Sequence, residues 1–205
     1  MERLLKLIII GDPTVGKTSF VQRYVNDTFR RDYKGTIGVD FALKVVQWSE
    51  NETLKLQLWD IAGQERFTSM TRVYYKDAHA CVIMFDLTQK KTFENTITWK
   101  KDLDSKCTLP DGSLVPCILL ANKCDLQYRE VEQVEIENLC KEHDFIGWTE
   151  ISVKDGLMID EAMKFLLDEV MTLFGDIDQD STESQHNIRL GHTAENEKAS
   201  NQCSC

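Results

Sequence analysis

The chain has little that would carry it into or across a bilayer. Its apolar runs, such as residues 7–10 and 117–121, are a fraction of the roughly 20 residues that a spanning helix needs. No N-terminal stretch has a signal-peptide layout, because Lys6 interrupts the first apolar run almost at once, so synthesis and retention in the cytosol are expected. Positive charge is also short. The formal net charge of −10 withholds the basic footprint that phosphate backbones require, which disfavours nucleic acid as a partner. It equally disfavours purely electrostatic attachment to anionic lipid. The seven cysteines form no Cys-x-x-Cys pair, and His79, His143, His186 and His192 are scattered, which argues against a zinc site or a disulfide framework. Cys81, Cys117 and Cys124 lie in or beside apolar runs and are expected as reduced, small core residues.

What is present fits one compact domain with a short appendage in 205 residues. A hydrophobic share of 42% beside 28% charge is enough for a sizeable core in a soluble protein. Short apolar runs at residues 4–10, 41–48, 54–59, 80–85, 115–121 and 148–151 read as strands. Residues 17–25, 92–106, 131–143 and 158–174 read as helices. This alternation predicts an α/β fold with a mostly parallel sheet. In the last helix Ile159, Met163, Leu166, Val170 and Leu173 recur at helical spacing and are expected to cover one sheet face. Ser49-Glu50-Asn51-Glu52-Thr53 is a polar turn suited to an antiparallel hairpin. After Gly175 the chain turns to Asp, Glu, Ser, Asn and Gln with few large apolar groups, so residues 1–175 are read as the domain and 176–205 as a disordered tail.

Gly11-Asp12-Pro13-Thr14-Val15-Gly16-Lys17-Thr18 directly follows the first strand and opens a helix. Gly11 and Gly16 let the backbone turn tightly and bring N–H groups against phosphate oxygens. Lys17 suits the β- and γ-phosphates, the Thr18 hydroxyl suits Mg²⁺, and the helix N-terminus adds positive partial charge. At ordinary glycine frequency such a match arises by chance on the order of once per hundred chains of this size, and the strand-before, helix-after context makes it rarer. The loop selects a nucleoside triphosphate without choosing the base. Asn122-Lys123-Cys124-Asp125, at the end of a strand, supplies that choice: the Asp125 carboxylate suits the paired guanine donors N1–H and the exocyclic amine. Adenine has no such edge and would leave the acid unpaired, which opposes an ATP-using enzyme. Ser152-Val153-Lys154 follows the next strand, where a backbone N–H is placed to reach the guanine carbonyl.

On these motifs, together with Thr36-Ile37-Gly38-Val39-Asp40-Phe41 and Trp59-Asp60-Ile61-Ala62-Gly63-Gln64-Glu65, residues 3–174 resemble the Ras superfamily and, within it, the Rab GTPases. Arg66-Phe67-Thr68-Ser69-Met70-Thr71 with Tyr74-Tyr75 is similar to Rabs rather than to Ras or Rho. Ile61 stands where most Rabs carry Thr. With Phe41-Ala42-Leu43-Lys44-Val45 and Leu103-Asp104-Ser105-Lys106, it resembles the Rab subgroup of lysosome-related organelles and trans-Golgi traffic. The resemblance implies a P-loop small G-domain with a six-stranded, mostly parallel sheet and helices on both faces. It implies that Thr36 binds Mg²⁺ through its hydroxyl and the γ-phosphate through its N–H. Asp60 would hold Mg²⁺ through water, the Gly63 N–H would meet the γ-phosphate, and Gln64 would orient the attacking water. Phe29 would pack edge-on against guanine. Phe41, Trp59 and Tyr74 would form the aromatic trio that partners read, although aromatics in strands are also ordinary core residues. For Trp59, core and interface stand as equal readings.

Pro13 departs from the Gly of Ras and the small residue of many Rabs, and its ring is placed to obstruct an arginine supplied by an activating protein. Val153 replaces the usual Ala. The implied activity is slow hydrolysis of GTP to GDP, with Lys17 and Mg²⁺ taking leaving-group charge and switch loops relaxing afterwards. A nucleotide-locked module that recruits effectors but hardly hydrolyses is the competing reading. Gln202-Cys203-Ser204-Cys205 resembles the Cys-x-Cys ending that Rabs use for double geranylgeranylation. Two lipids suit a tail with six acidic groups and only Arg189 and Lys198 as Lys/Arg charges, since one chain alone binds marginally. The implied partners are an exchange factor, a GTPase-activating protein, a GDP-dissociation inhibitor, a Rab escort protein with geranylgeranyl transferase, and effectors. The implied place is the cytoplasmic face of a lysosome-related, endosomal or Golgi membrane, with a cytosolic pool.

Overall fold

The computed structural model describes residues 1–29, 35–65 and 70–175. In chain order the elements are β1 (Glu2–Gly11), α1 (Lys17–Asn26), β2 (Val39–Ser49), β3 (Glu52–Ile61), α2 (Thr71–Tyr75) and β4 (Ala80–Asp86). They continue with α3 (Lys90–Lys106), β5 (Cys117–Asn122), α4 (Gln133–Glu142), β6 (Gly147–Ile151) and α5 (Ile159–Gly175). The six strands form one sheet in the order β2-β3-β1-β4-β5-β6. The β2–β3 pair is antiparallel and the other pairs are parallel, as expected for the fold class.

The central strands are apolar along their length because both of their faces are covered. Leu5, Leu7 and Ile9 of β1 join Phe20 and Tyr24 of α1 and Leu166 and Val170 of α5 in one core. Ile8 and Ile10 point the other way, into a second core with Tyr75 of α2, Phe93 and Trp99 of α3, and Ile136 of α4. With α1 after β1 on one face and α3 after β4 on the other, a crevice opens beyond the carboxyl ends of these neighbouring strands, where ligands bind in open α/β sheets.

Several boundaries differ from the sequence reading, each for a local reason. The hairpin is tighter than the polar stretch suggests: Ser49 pairs with Glu52, leaving Glu50 and Asn51 as the turn. Side chains hold the polar residues in the ladder, through Glu52 with Arg3 at 2.7 Å and Thr53 Oγ1 donating to Gln47 Oε1 at 3.2 Å. β5 begins at Cys117, because Pro116 has no N–H to give a neighbouring strand. α4 starts at Gln133 behind a capping box in which Glu132 and Glu135 satisfy each other's backbone N–H groups. α2 has only five residues, too few to show a period. Cys81 and Cys117 are free, buried and opposite each other in register, as small core residues, while Cys124 is half-buried. Among the described residues no helix is long and apolar enough to cross a membrane.

The apolar stripe of α5 also differs from its spacing at the end, where Phe174 and not Leu173 packs against the core. Leu166 is fully buried, but Leu173 is 48% exposed. Leu166→Ala is therefore expected to lower the unfolding free energy by about 2–5 kcal/mol, and Leu173→Ala to change it by less than about 0.5 kcal/mol. Urea unfolding of both variants measures this, and equal losses would contradict the packing described.

Candidate functional site

The loop after β1 is shaped by its glycines and by a buried lysine. Gly16 caps α1 at φ +105°, and a Cβ there would stand 2.4 Å from Asn122 Nδ2. The first turn of α1 has no side-chain cap, which leaves its N–H groups to the cleft. Lys17 folds back across the loop and donates from Nζ to the carbonyls of Gly11 and Asp12, both at 2.8 Å. Burial pushes its pKa down to about 8 against the opposing charges of Asp60 and Asp12. The Asp12 carboxylate lies behind the loop and accepts from Trp99 Nε1 of α3 at 2.9 Å and from Asn95 Nδ2.

Asn122, at the end of β5, ties this loop to the next. Its Nδ2 donates to Val15 O at 2.8 Å and its Oδ1 accepts from Val153 N at 3.1 Å. The Asp125 side chain is 8% exposed and accepts from Ser152 Oγ at 2.8 Å and Lys154 Nζ at 3.3 Å. Burial opposes its charge, but those two donors prevail and hold the carboxyl below the usual carboxylate range. Lys123 is held in left-handed backbone at φ +71°, with Nζ 2.5 Å from the buried Asp86 carboxylate.

Three oxygen-bearing side chains meet beside Lys17. Thr18 Oγ1 lies 2.7 Å from Thr36 Oγ1, Thr18 donates to Asp60 Oδ2, and Thr36 Oγ1 is 3.5 Å from the same oxygen. Asp60 Oδ1 is buried with no hydrogen-bond partner, and burial raises the acid's pKa despite Thr18 and Lys17. Gly63 packs so closely on the phosphate loop that a Cβ would stand 2.3 Å from Pro13 N, and Gln64 is exposed at the rim.

One cleft of about 500 Å³ collects most of the residues singled out from the sequence. Pro13, Thr14, Gly16, Lys17, Thr18, Phe29, Thr36, Gly63, Gln64, Asn122, Lys123, Asp125, Val153 and Lys154 line it. Gly11, Asp12, Val15, Asp60 and Ser152 do not line it and act from behind through the contacts above. Ser19, Gln22, Gly35 and Leu126 also line it and were not read from the sequence. Gln22 had a signal, standing four residues after Thr18 on the same helix face.

Phe41 and Trp59 meet edge-on with ring centroids 4.4 Å apart. Phe41 is exposed, whereas Trp59 and Tyr74 are half-buried against the second core. Lys6 Nζ stands 3.6 Å from the Trp59 ring centroid. Cys203 and Cys205 lie outside the described residues.

A loop suited to phosphate and a loop suited to a purine edge, facing each other across one cleft at the carboxyl ends of a parallel sheet, define a P-loop nucleotide-binding domain of the small GTPase class. Comparison with known proteins narrows this class. Residues 6–172 match the Ras family. The chain is 60% identical over 170 residues to Ras-related protein Rab-7L1 of Homo sapiens, covering 83% of this chain and 84% of that protein. It is 51% identical over 172 residues to Ras-related protein Rab-32 of Homo sapiens (83% and 76%). It is 49% identical over 173 residues to Ras-related protein Rab-32A of Dictyostelium discoideum (83% and 79%). The chain belongs to the Ras family, in its Rab branch: it binds guanine nucleotide, hydrolyses GTP to GDP, and is a Rab-type GTPase of membrane traffic with regulators and effectors.

The Asn122 link gives a test that needs no ligand. Asn122→Ala orphans Val15 O and Val153 N, both on residues at most 2% exposed. Each lost partner costs about 1–3 kcal/mol, so a fall of at least about 2 kcal/mol in unfolding free energy is expected. A change below about 0.5 kcal/mol on urea unfolding would show that the two loops do not depend on this amide.

Proposed function

We propose that the cleft holds Mg²⁺–GTP with its phosphates over residues 11–18 and its guanine at Asp125, and that γ-phosphate loss switches the surface around Phe41, Trp59 and Tyr74. The observation that carries this is the convergence of Lys17, the Thr18–Thr36–Asp60 oxygens and Asp125 on a single cleft system. The all-oxygen cluster, with one buried carboxylate oxygen unpartnered, fits a hard divalent cation completed by phosphate and water oxygens. Thr18, Thr36 and Asp60 would hold Mg²⁺, which when bound supplies charge neutralisation at the β- and γ-phosphates.

The chain's own groups do the rest. Lys17 and the uncapped N–H groups of α1 stabilise phosphate charge, and the Gly63 N–H meets the γ-phosphate. Gln64, free at the rim, orients the attacking water. Asp125 takes the paired guanine hydrogens, Phe29 covers the base, and Asn122, Ser152 and Lys154 hold the base loop in place. Because Asn122 already engages the Val153 N–H, the Lys154 N–H is the donor for the guanine carbonyl. Slow intrinsic turnover is part of this reading. An activating protein's arginine would raise it on the order of 10³–10⁵-fold.

Single-turnover hydrolysis with purified protein tests the role of Gln64. Gln64→Leu is expected to slow hydrolysis at least about tenfold while GTP still binds, and an unchanged rate would remove Gln64 from the mechanism.

The same reading includes a membrane cycle. Cys203 and Cys205 carry two geranylgeranyl groups, added with an escort protein and transferase, extracted by a GDP-dissociation inhibitor, and serving at a lysosome-related, endosomal or Golgi membrane. An exchange factor would reload the protein with GTP there. Intact mass of protein from eukaryotic cells should show two C20 additions, and an unmodified terminus would end this part of the proposal.

A further inference from the structure

Arg23 has no part in the roles above, yet its whole guanidinium is engaged. Nε donates to Val153 O at 3.0 Å and Nη2 to Lys154 O at 2.6 Å. Nη1 donates to Asp27 O at 3.3 Å and Oδ1 at 3.2 Å. The ordinary reading is an arginine at a helix C-terminus paired with an acid four residues on, which contributes little at the surface. The geometry favours another. The Asp27 side chain is 94% exposed, whereas the Arg23 side chain is 18% exposed, and its two shortest bonds leave the helix for the loop after β6.

Peptide geometry gives those bonds a consequence. Val153 C=O and Lys154 N–H belong to one trans peptide unit and point in opposite directions, and the described residues contain no cis peptide bond. Anchoring the Val153 carbonyl on Arg23 behind the loop therefore turns the Lys154 N–H toward the cleft that Val153 and Lys154 line. The next unit repeats the pattern: Lys154 O is held by Arg23, and the Asp155 N–H turns away to donate to Ser152 Oγ at 3.1 Å. Ser152 Oγ in turn holds Asp125. The guanidinium carbon also stands 6.0 Å from the Phe29 ring centroid. Arg23 follows Lys17 by six residues of α1, about 9 Å at the helical rise of 1.5 Å per residue. The helix thus spans from the phosphate lysine to the base loop.

We propose that Arg23 is a positioning residue for base recognition, fixing the peptide whose N–H reads the guanine carbonyl and thereby setting how long nucleotide is retained. This rests on the cleft holding guanine nucleotide.

Full-length protein loaded with a fluorescent GDP tests it through the dissociation rate, with Mg²⁺ and with excess EDTA. Relative affinity for GDP and 6-thio-GDP, whose sulfur accepts hydrogen bonds weakly, reports the carbonyl contact itself. Arg23→Gln is expected to speed dissociation by about tenfold or more under both conditions and to narrow the preference for GDP over 6-thio-GDP. Asp27→Asn is expected to stay within about twofold of wild type, as for a loss at an exposed pair. Should Arg23→Gln not fold, Arg23→Lys serves instead. It keeps the charge but cannot fork onto two carbonyls, and should shift both readouts in the same direction. An unchanged dissociation rate overturns the proposal. So does an equal effect from Asp27→Asn, which would assign the role to the helix end, or faster release with base preference intact, which would mean general loosening. Wild-type protein that retains no GDP overturns the nucleotide reading of the cleft, whereas retention by wild type and variant alike overturns only the role of Arg23.

Discussion

The side chain of Asn122 joins two loops that the chain keeps far apart, donating to Val15 and accepting from Val153. An amide has a donor end and an acceptor end at fixed separation, so it sets the spacing between a phosphate loop and a base loop as a short rigid strut. The surrounding residues conform to it. Gly16 has no Cβ because Asn122 Nδ2 occupies that space, and β5 holds the amide by parallel pairing with β4 and β6. These three strands end in register, with Asn122 opposite Asp86 and Ile151.

Charge is handled with equal economy around the site. The chain carries a net charge of −10 and places several carboxylates in and around the cleft. Most of these are matched to internal donors: Asp12 to Trp99 and Asn95, Asp86 to Lys123, and Asp125 to Ser152 and Lys154. With those acids engaged by internal donors, the N-terminus of α1 and Lys17 are the groups in this cleft suited to an anion. Asp60 is the exception. Its second oxygen is left over, and it sits where a cation is called for.

Much of this was legible from residues alone, because phosphate and guanine recognition demand particular residue types at short range. The six strands, the hairpin at one edge and the two binding loops all announce themselves through local pattern. The supporting contacts do not. Trp99 reaches Asp12 across 87 positions, and Asn122 reaches Val15 across 107, so neither end carries a local mark of the other. An indole N–H on an otherwise core-facing helix was a partial clue, since a buried one generally seeks an acceptor. Leu173 shows the opposite failure: its spacing is that of the buried stripe, but the adjacent Phe174 packs on the core instead, with its carbonyl held by Arg3 of β1. The apolar period records which side of a helix faces inward, not which of two adjacent residues takes the inward position.

The Lys6 ammonium over Trp59 has a consequence for anything that approaches that aromatic surface. Lys6 also donates to the Lys76 carbonyl, so the cation is pinned from two directions and the ring beneath it is hard to turn. One electron-rich face of the indole is thereby spoken for, and Phe41 crowds it edge-on. What Trp59 still has to offer is the carbon edge of its perimeter, because its pyrrole N–H is buried and has no hydrogen-bond partner among the described residues. A partner that lands on this patch is therefore met by ring edges and not by an open indole face.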